Sequence, residues 1–228
     1  MTDLSPLLPA ATALIRRCTD KKLTVATAES CTGGLIVGTA IALMRLSGYR
    51  LLGRIAGLYV DFVRSLPLVL VIFWFYFLVP FIGAWIVGSP RPIKVGAFFS
   101  SVITFMMFEA AYFSEIMRAG IQSISKGQPA AAQALGLTYH QTMRYVVLPQ
   151  AFRNMLPVLL TQTIILFQDV SLVSLLNVTD FVGAAVNIAQ RDSRIIEMYS
   201  FVAVVYFALC YTLSQAVKGL QRRIAVVR

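Results

Sequence analysis

The sequence predicts an all-α membrane protein with about five transmembrane helices. Of its 228 residues, 58% are hydrophobic and only 13% are charged, whereas charged residues make up about a quarter of a typical soluble domain. Several apolar stretches are long enough to cross the hydrocarbon core of a bilayer. The net charge of +10 fits Lys- and Arg-rich cytoplasmic loops. Aromatic residues lie in the apolar stretches rather than among the basic clusters, which argues against a nucleic-acid-binding protein.

Four stretches form the main predicted spans: residues 66–88, 95–117, 155–178 and 198–217. The first of them contains no charged residue and can cross the bilayer with some tilt. A weaker candidate precedes them and ends near Leu43. Its uncharged part, residues 33–44, would be only about 18 Å long as an α-helix. A full first span must therefore extend back through Glu29, which makes it the weakest of the five.

The distribution of basic residues predicts how the spans are oriented. Lys and Arg are concentrated in three places: at residues 45–64 between the weak first candidate and the next span, in the loop at 118–154, and after residue 217. The other loops have fewer basic residues or offset them with acidic ones. The positive-inside rule then places the 118–154 loop and the C-terminus in the cytoplasm. With five spans, the N-terminus is expected outside.

The cytoplasmic loop reads SKGQPAAAQALGLTYHQTMRYVVLPQAFRNMLP, which is too polar to span a membrane. Pro129 suits the first turn of a helix, and Gly136 suits a left-handed cap at its end. Thr138 and Gln141 have the spacing of a capping box at the start of a second helix. Pro149 is expected to stop that second helix. The loop is thus predicted to form two short helices joined at a glycine, which can dock into another protein.

This loop resembles the EAA loop of type-I ATP-binding-cassette (ABC) importer permeases. In that family E-A-A is followed by three residues, a glycine, nine residues, a branched aliphatic residue, one residue and L-P. The residues in register are Ala131, Ala132, Gly136, Val146, Leu148 and Pro149, and Ala130 replaces the glutamate. The flanking sequences EAAYFSEIMRAGIQSISKGQ, LPQAFRNMLP and FQDVSLVSLL are similar to polar amino-acid permeases. The stretch VRSLPLVLVIFWFYFLVP and the Gln168-Asp169 pair most resemble the glutamate/aspartate branch.

The resemblance covers about residues 36–228, and it implies a fold, a function and a set of partners. The fold would be that of a type-I ABC importer permease with its first helix partly replaced, in a bacterial inner membrane. Residues 122–154 would form the coupling loop that contacts a dimer of ATPase subunits. The chain lacks a phosphate-binding G-x-x-x-x-G-K-[ST] loop, so it would bind no cofactor and a separate subunit would use the ATP. A second permease subunit or a second copy, and a periplasmic amino-acid-binding protein, would complete an importer working by alternating access.

Polar residues inside the predicted spans are candidates for the translocation path, because a charge within a bilayer is costly and usually functional. These candidates are Glu109, Glu115, Gln168, Asp169 and Ser171. Glu115 has a structural alternative, since Arg118 lies three residues further along the same helix. No catalytic residue and no metal site is predicted, and the three cysteines have no metal-ligand spacing.

The N-terminal part has a different resemblance. Residues 20–36, which include TVATAESCTGG, are similar to the start of nicotinamide-nucleotide amidohydrolases, the competence-damage-inducible family. In that family the serine at the position of Ser30 is the nucleophile, and downstream Tyr and Lys residues activate it. This chain has no Lys between Lys22 and Lys94. We therefore divide it into an atypical segment at residues 1–35, without a complete enzyme domain, and a transmembrane domain at 36–228.

Two alternative functions follow from these observations. The first is a membrane-anchored amidohydrolase using Ser30, which a Lys and a Tyr at the family spacing would support. The second is a secondary transporter, a class that often has internal repeats and interrupted helices at matched positions. The sequence contains neither a Lys and a Tyr at that spacing nor an internal repeat.

Overall fold

The computed structural model describes residues 23–224 except positions 94, 177 and 179, and side chains from residue 30 onward. The described residues form helices and no strand. The helices are α1 (Leu23–Leu46), α2 (Arg50–Arg64), α3 (Leu68–Val87), α4 (Ala97–Gln122), α5 (Gly127–Ala134), α6 (Tyr139–Leu176), α7 (Phe181–Arg191) and α8 (Ile195–Ile224).

Four of these helices are long and apolar enough to cross a membrane: α3, α4, α6 and α8. They coincide with the four main spans predicted from the sequence. In α1 the part whose side chains the structure describes, Ser30 to Leu46, is apolar. The described residues thus contain four span-length apolar helices together with the apolar part of α1, and the weakness of the first span stays a prediction.

Pro149 does not end a helix, so the sequence prediction for this residue was wrong. Helix α6 runs through it without a break. Proline lacks an N–H, and its ring crowds the carbonyl four residues earlier. A π-helical turn at Met143–Val147 comes directly before this point, and the Leu148 N–H donates to the Met143 carbonyl. This wider turn accommodates the proline, so the second helix of the loop is continuous with the third main span.

Helix α3 accommodates a proline in the same way. A π-helical turn at Trp74–Leu78 precedes Pro80, and the Val79 N–H donates to the Trp74 carbonyl. In both helices the proline is the second residue after the π turn. Proline at this spacing is therefore compatible with an unbroken span.

Two helices, α2 and α7, were not predicted from the sequence. The arginines of α2 were interpreted as loop residues, and α7 lies in a stretch that was interpreted as a loop between spans. Asp180 caps the N-terminus of α7, where the Gly183 N–H donates to its Oδ1 at 2.6 Å. Asp180 is only 3% exposed, and burial raises the pKa of its carboxyl, partly offset by hydrogen bonds from the backbone at Gly183 and Val182.

The chain divides into two compact units. The first comprises Met1–Thr32, Pro67–Met106 and Leu166–Tyr211, of which the structure describes residues from 23 onward. Its core is built around five buried side chains: Ile72, Phe105, Leu166, Val173 and Leu176. A smaller cluster joins α7 to the start of α8 through Ala184, Ala185, Ala189 and Met198.

The second unit comprises Gly33–Leu66, Met107–Ile165 and Thr212–Arg228. Close helix packing in this unit depends on glycine. A Cβ added to Gly38 of α1 would lie 2.8 Å from the Ala110 carbonyl oxygen and 2.8 Å from the Cβ of Phe113, both in α4. A Cβ added to Gly120 of α4 would lie 2.9 Å from the Cβ of Met155 in α6. These two glycines therefore let α1 and α6 approach α4.

Candidate functional site: the coupling loop and the polar residues of the spans

The turn between α5 and α6 is fixed by a glycine cap. Gly136 has a φ of +86°, which glycine adopts without the strain that a Cβ brings. The Gly136 N–H donates to the Gln133 carbonyl at 2.9 Å, and the Leu137 N–H donates to the Ala132 carbonyl at 3.2 Å. This pair of hydrogen bonds is the Schellman motif, so the predicted left-handed glycine cap is confirmed.

The start of α6 is fixed by the predicted capping box. The Gln141 N–H donates to Thr138 Oγ1 at 3.4 Å, and the Thr138 N–H donates to Gln141 Oε1 at 2.9 Å. Both caps together leave only four residues between α5 and α6, namely Leu135 to Thr138. The loop therefore has a defined angle set by hydrogen bonds at both helix ends.

Helix α5 packs against the first two turns of α6. Ala132 of α5 and Thr142 and Val147 of α6 are buried, at 6%, 1% and 5% exposure. The other residues of the EAA-like pattern lie outward. Ala130, Ala131, Gly136, Leu148 and Pro149 are exposed, and Val146 is half-buried.

Large apolar side chains also face outward from this loop. Leu135 is 82% exposed, Tyr139 is 65% exposed and Tyr145 is 64% exposed. Exposed apolar side chains grouped on a rigid element are typical of a protein interface. The loop thus presents an apolar surface on a hydrogen-bonded frame.

Glu115 joins α1 to α4 through ion pairs. Its Oε2 lies 2.5 Å from Arg45 Nη1, and its Oε1 pairs with Arg118 Nη2. Arg118 Nη1 in turn donates to Gln122 Oε1 at 2.7 Å. The predicted pair with Arg118 is thus present, and Arg45 is a partner that the sequence did not indicate.

Glu109 is fully buried, with 0% exposure. Gln162 of α6 donates through Nε2 to both carboxylate oxygens, at 3.2 Å and 3.0 Å. The partner is 53 residues away in the sequence, which is why sequence reasoning did not find it. A buried carboxyl held by an amide between two span-length helices is a polar site within the second unit.

The remaining candidates lie near the end of α6, in the first unit. Gln168 is exposed, whereas Asp169 and Ser171 are half-buried. The helix changes from α to 3-10 geometry at Val170. The Ser171 carbonyl accepts a hydrogen bond from Ser174 Oγ at 2.7 Å. Gln168 and Asp169 therefore lie in the last α-helical turn, and Ser171 lies in the 3-10 segment that follows it.

Ser30 is buried, with 1% exposure. It lines a cavity of about 20 Å³ together with Ser101 and apolar residues of the first unit that include Phe98 and Phe105. No Lys, Tyr or His is among the lining residues. An activated serine needs a base beside it, so the described lining of this cavity does not have the composition of an amidohydrolase centre.

An all-helical protein with four span-length helices, carboxyl groups held inside them and an exposed helical loop has the architecture of a multi-pass transport protein. The family of inner membrane components of binding-protein-dependent transport systems matches residues 34–226. The chain therefore belongs to this family of inner-membrane transport permeases. It is a transport protein and not an enzyme, and the amidohydrolase and secondary-transporter alternatives are not favoured.

Similar proteins agree with this classification. The glutamate/aspartate import permease protein GltK of Escherichia coli O6:H1 is 48% identical over 194 residues, which cover 84% of this chain and 85% of the relative. The probable glutamine ABC transporter permease protein GlnM of Bacillus subtilis is 32% identical over 200 residues, or 88% of each chain. A crystal structure of an amino acid ABC transporter with histidines has a chain that matches with a TM-score of 0.85 and 30% identity. That match covers 98% of this chain and 99% of the other.

A second family also matches. The C-terminal domain of CinA matches residues 8–53, which confirms the enzyme-like character of the N-terminal segment. Positions before residue 23 in this match lie outside the described residues. The two family matches overlap at residues 34–53, so the enzyme-like and permease-like sequences meet within α1 and the start of α2.

Proposed function

We propose that this chain is the permease subunit of an ABC importer for acidic or polar amino acids, with glutamate and aspartate as the leading substrates. The observation that carries this proposal is the 48% identity, over 84% of the chain, to a glutamate/aspartate import permease. The sequences flanking the EAA-like loop support the same substrate class. A periplasmic binding protein delivers the amino acid, and transport proceeds by alternating access.

The coupling loop transmits the movement of a separate ATPase dimer, which uses the ATP. Its contact residues are Ala130, Ala131, Ala132, Gly136, Val146, Leu148 and Pro149. The exposed Leu135 and Tyr139 beside them supply apolar area for such a contact. Because α6 continues from the loop through Pro149 into the third main span, a displacement of the loop moves that span directly.

The translocation path includes Glu109, Gln168, Asp169 and Ser171. Polar groups in membrane spans are retained where they serve a function, and Glu109 is held by Gln162. Glu115 was also a candidate, but its ion pairs with Arg45 and Arg118 favour a role in holding α1 against α4.

Assembly requires a second permease, either another subunit or a second copy of this chain. We assign the coupling loop at 122–154 and the C-terminus to the cytoplasm and the N-terminus to the outside, because of the distribution of Lys and Arg. Residues 1–35 form a segment without catalytic function, and residues 36–228 form the transport domain. The burial of Ser30 supports the proposal that residues 1–35 have no catalytic function.

The test is uptake of a panel of labelled amino acids by the chain reconstituted with its ATPase, permease partner and binding protein. We expect glutamate and aspartate to be taken up faster than neutral or basic amino acids, and only with ATP on the loop side. Preferential uptake of a basic or apolar amino acid would refute the substrate. Uptake driven by an ion gradient without ATP would refute the importer class.

A further inference from the structure

Helix α2 has three faces of different chemistry. One face packs against the protein, a second is an exposed apolar stripe, and a third carries charge. Helices of this composition lie in the interface of a membrane when the apolar and the charged faces are both free.

The protein-facing side of α2 is held by contacts within the second unit. Ala56 and Val60 are buried, at 3% and 0% exposure. The Tyr59 hydroxyl donates to the Met107 carbonyl of α4 at 2.6 Å. The Arg64 guanidinium lies 5.3 Å from the ring centroid of Tyr112, also in α4. These contacts fix α2 against the middle of α4.

The apolar stripe recurs with helical spacing. Leu51, Ile55, Leu58 and Phe62 follow one another at intervals of four, three and four residues, which places them on one side of the helix. Their exposures are 71%, 53%, 71% and 60%. Four adjacent, exposed and large apolar side chains need a cover of low polarity.

The third face of α2 carries charge. It contains Arg50, Arg54, Asp61 and Arg64, all exposed, with a net charge of +2 from three arginines and one aspartate. Neither Arg50 nor Arg54 has an ion-pair partner among the described residues. Two unpaired arginines are therefore available to an anionic group at this surface.

The depth of α2 follows from its neighbours on α4. Met107 and Tyr112, which α2 contacts, precede Glu115, whose carboxylate is paired with Arg45 and Arg118. A cluster of three charged groups at one end of a span is typical of the membrane edge. Helix α2 therefore meets α4 on the bilayer side of this cluster, from Met107 near the middle of α4 to Tyr112, about one turn before Glu115.

We propose that α2 is an interfacial helix that binds anionic phospholipid, with its apolar stripe among the acyl chains and Arg50 and Arg54 on the head groups. The chemistry of a lipid matches both faces at once, because one molecule supplies an apolar tail and a negative head. A second copy of the chain would cover the stripe but would bring the same positive face, which is electrostatically unfavourable. Charge complementarity therefore favours the lipid.

The test uses a fluorescent label at one position of the full-length chain. Cys18, Cys31 and Cys210 are replaced by Ala, and Leu58→Cys is labelled with bimane. The chain is reconstituted in phosphatidylcholine vesicles that contain an acyl spin label on either phosphatidylglycerol or phosphatidylcholine, at equal mole fraction. We expect quenching by the anionic lipid to exceed quenching by the neutral lipid by roughly twofold or more, since each arginine near the surface attracts anionic lipid.

Two variants and one reference position control this measurement. Arg50→Gln with Arg54→Gln should make the two lipids equal, whereas Arg191→Gln with Arg194→Gln removes the same charge elsewhere and should keep the preference. A label at Trp85→Cys, 83% exposed in α3, should be quenched equally by both lipids. Equal quenching at position 58 in the parent chain would overturn the head-group site. No quenching by either lipid, with position 85 quenched normally, would mean that protein covers the stripe and would overturn the proposal.

Discussion

At the scale of single residues, Glu109 and Glu115 lie in the same helix and yet are stabilised in different ways. Glu115 pairs with the guanidinium groups of Arg45 and Arg118, whereas both oxygens of Glu109 accept hydrogen bonds from the Gln162 amide. Ion pairs near a helix end and a neutral donor in the interior both lower the cost of placing a carboxyl in a bilayer. The two positions therefore require different tests.

We expect Glu115→Gln to destabilise the contact between α1 and α4 by about 1–2 kcal/mol, because it leaves two half-buried arginines without their shared carboxylate. The melting temperature of the solubilised chain measures this effect. Asp192→Asn removes an ion pair that lies on the surface, between Arg191 and Asp192, and should leave the melting temperature unchanged. Equal melting temperatures for both variants would mean that the Glu115 pairs do not hold α1.

Gly136 gives a second prediction at this scale. No atom lies within 4 Å of an added Cβ, so Gly136→Ala costs about 1–2 kcal/mol through its positive φ alone. The turn after α5 should open, and uptake and its coupled ATP hydrolysis should fall while membrane insertion persists. Gly88→Ala is the matched control, since Gly88 has a φ of +68° with open space around it but lies outside the loop. If both variants transport normally, the loop does not depend on the glycine cap for coupling.

At the scale of helices, the sequence predicted the helix caps and the main spans better than it predicted where a helix continues through a proline. The Gly136 cap and the capping box of Thr138 are local patterns, so their residues lie within a few positions of one another. Pro149 was misread because a π turn in the preceding residues relieves the clash that normally ends a helix.

Helix α2 was missed because its arginines suggested a loop, although the large apolar residues from Leu51 to Phe62 recur with a helical period. Pairings between helices, such as Arg45 with Glu115, separated by 70 residues, have no local signal.

The packing of α1 against α4 gives the prediction at this scale. Gly38→Ala places a Cβ 2.8 Å from the Ala110 carbonyl oxygen, a backbone atom that no side-chain rotation can move. We expect a loss of about 1–3 kcal/mol from overpacking, measured as a lower melting temperature and faster proteolysis. Gly219→Ala in α8 meets no atom within 4 Å and should be neutral or slightly stabilising. A Gly38 variant as stable as the Gly219 variant would show that α1 does not pack closely here.

At the scale of the whole molecule, two sequence types share one helix. The CinA-like match ends at residue 53 and the permease match begins at residue 34, while α1 runs without interruption from Leu23 to Leu46. The sequence identified this hybrid from the motif around Ser30, and the weakness of the first span stays a prediction.

The last prediction concerns what this N-terminal segment does to the assembled transporter. Glu29 and the basic residues at positions 16, 17, 21 and 22 oppose insertion of the first span, and a carboxylate in the bilayer costs about 2–3 kcal/mol on insertion scales. Replacing residues 1–35 with an uncharged apolar half-helix should therefore raise both the membrane yield and the uptake per cell. Ser30→Ala, which keeps the segment and removes only the hydroxyl, should change neither quantity. No gain from the replacement would refute the weak-span argument. Release of ammonia from nicotinamide mononucleotide by the intact chain, abolished by Ser30→Ala, would show instead that the segment is an enzyme.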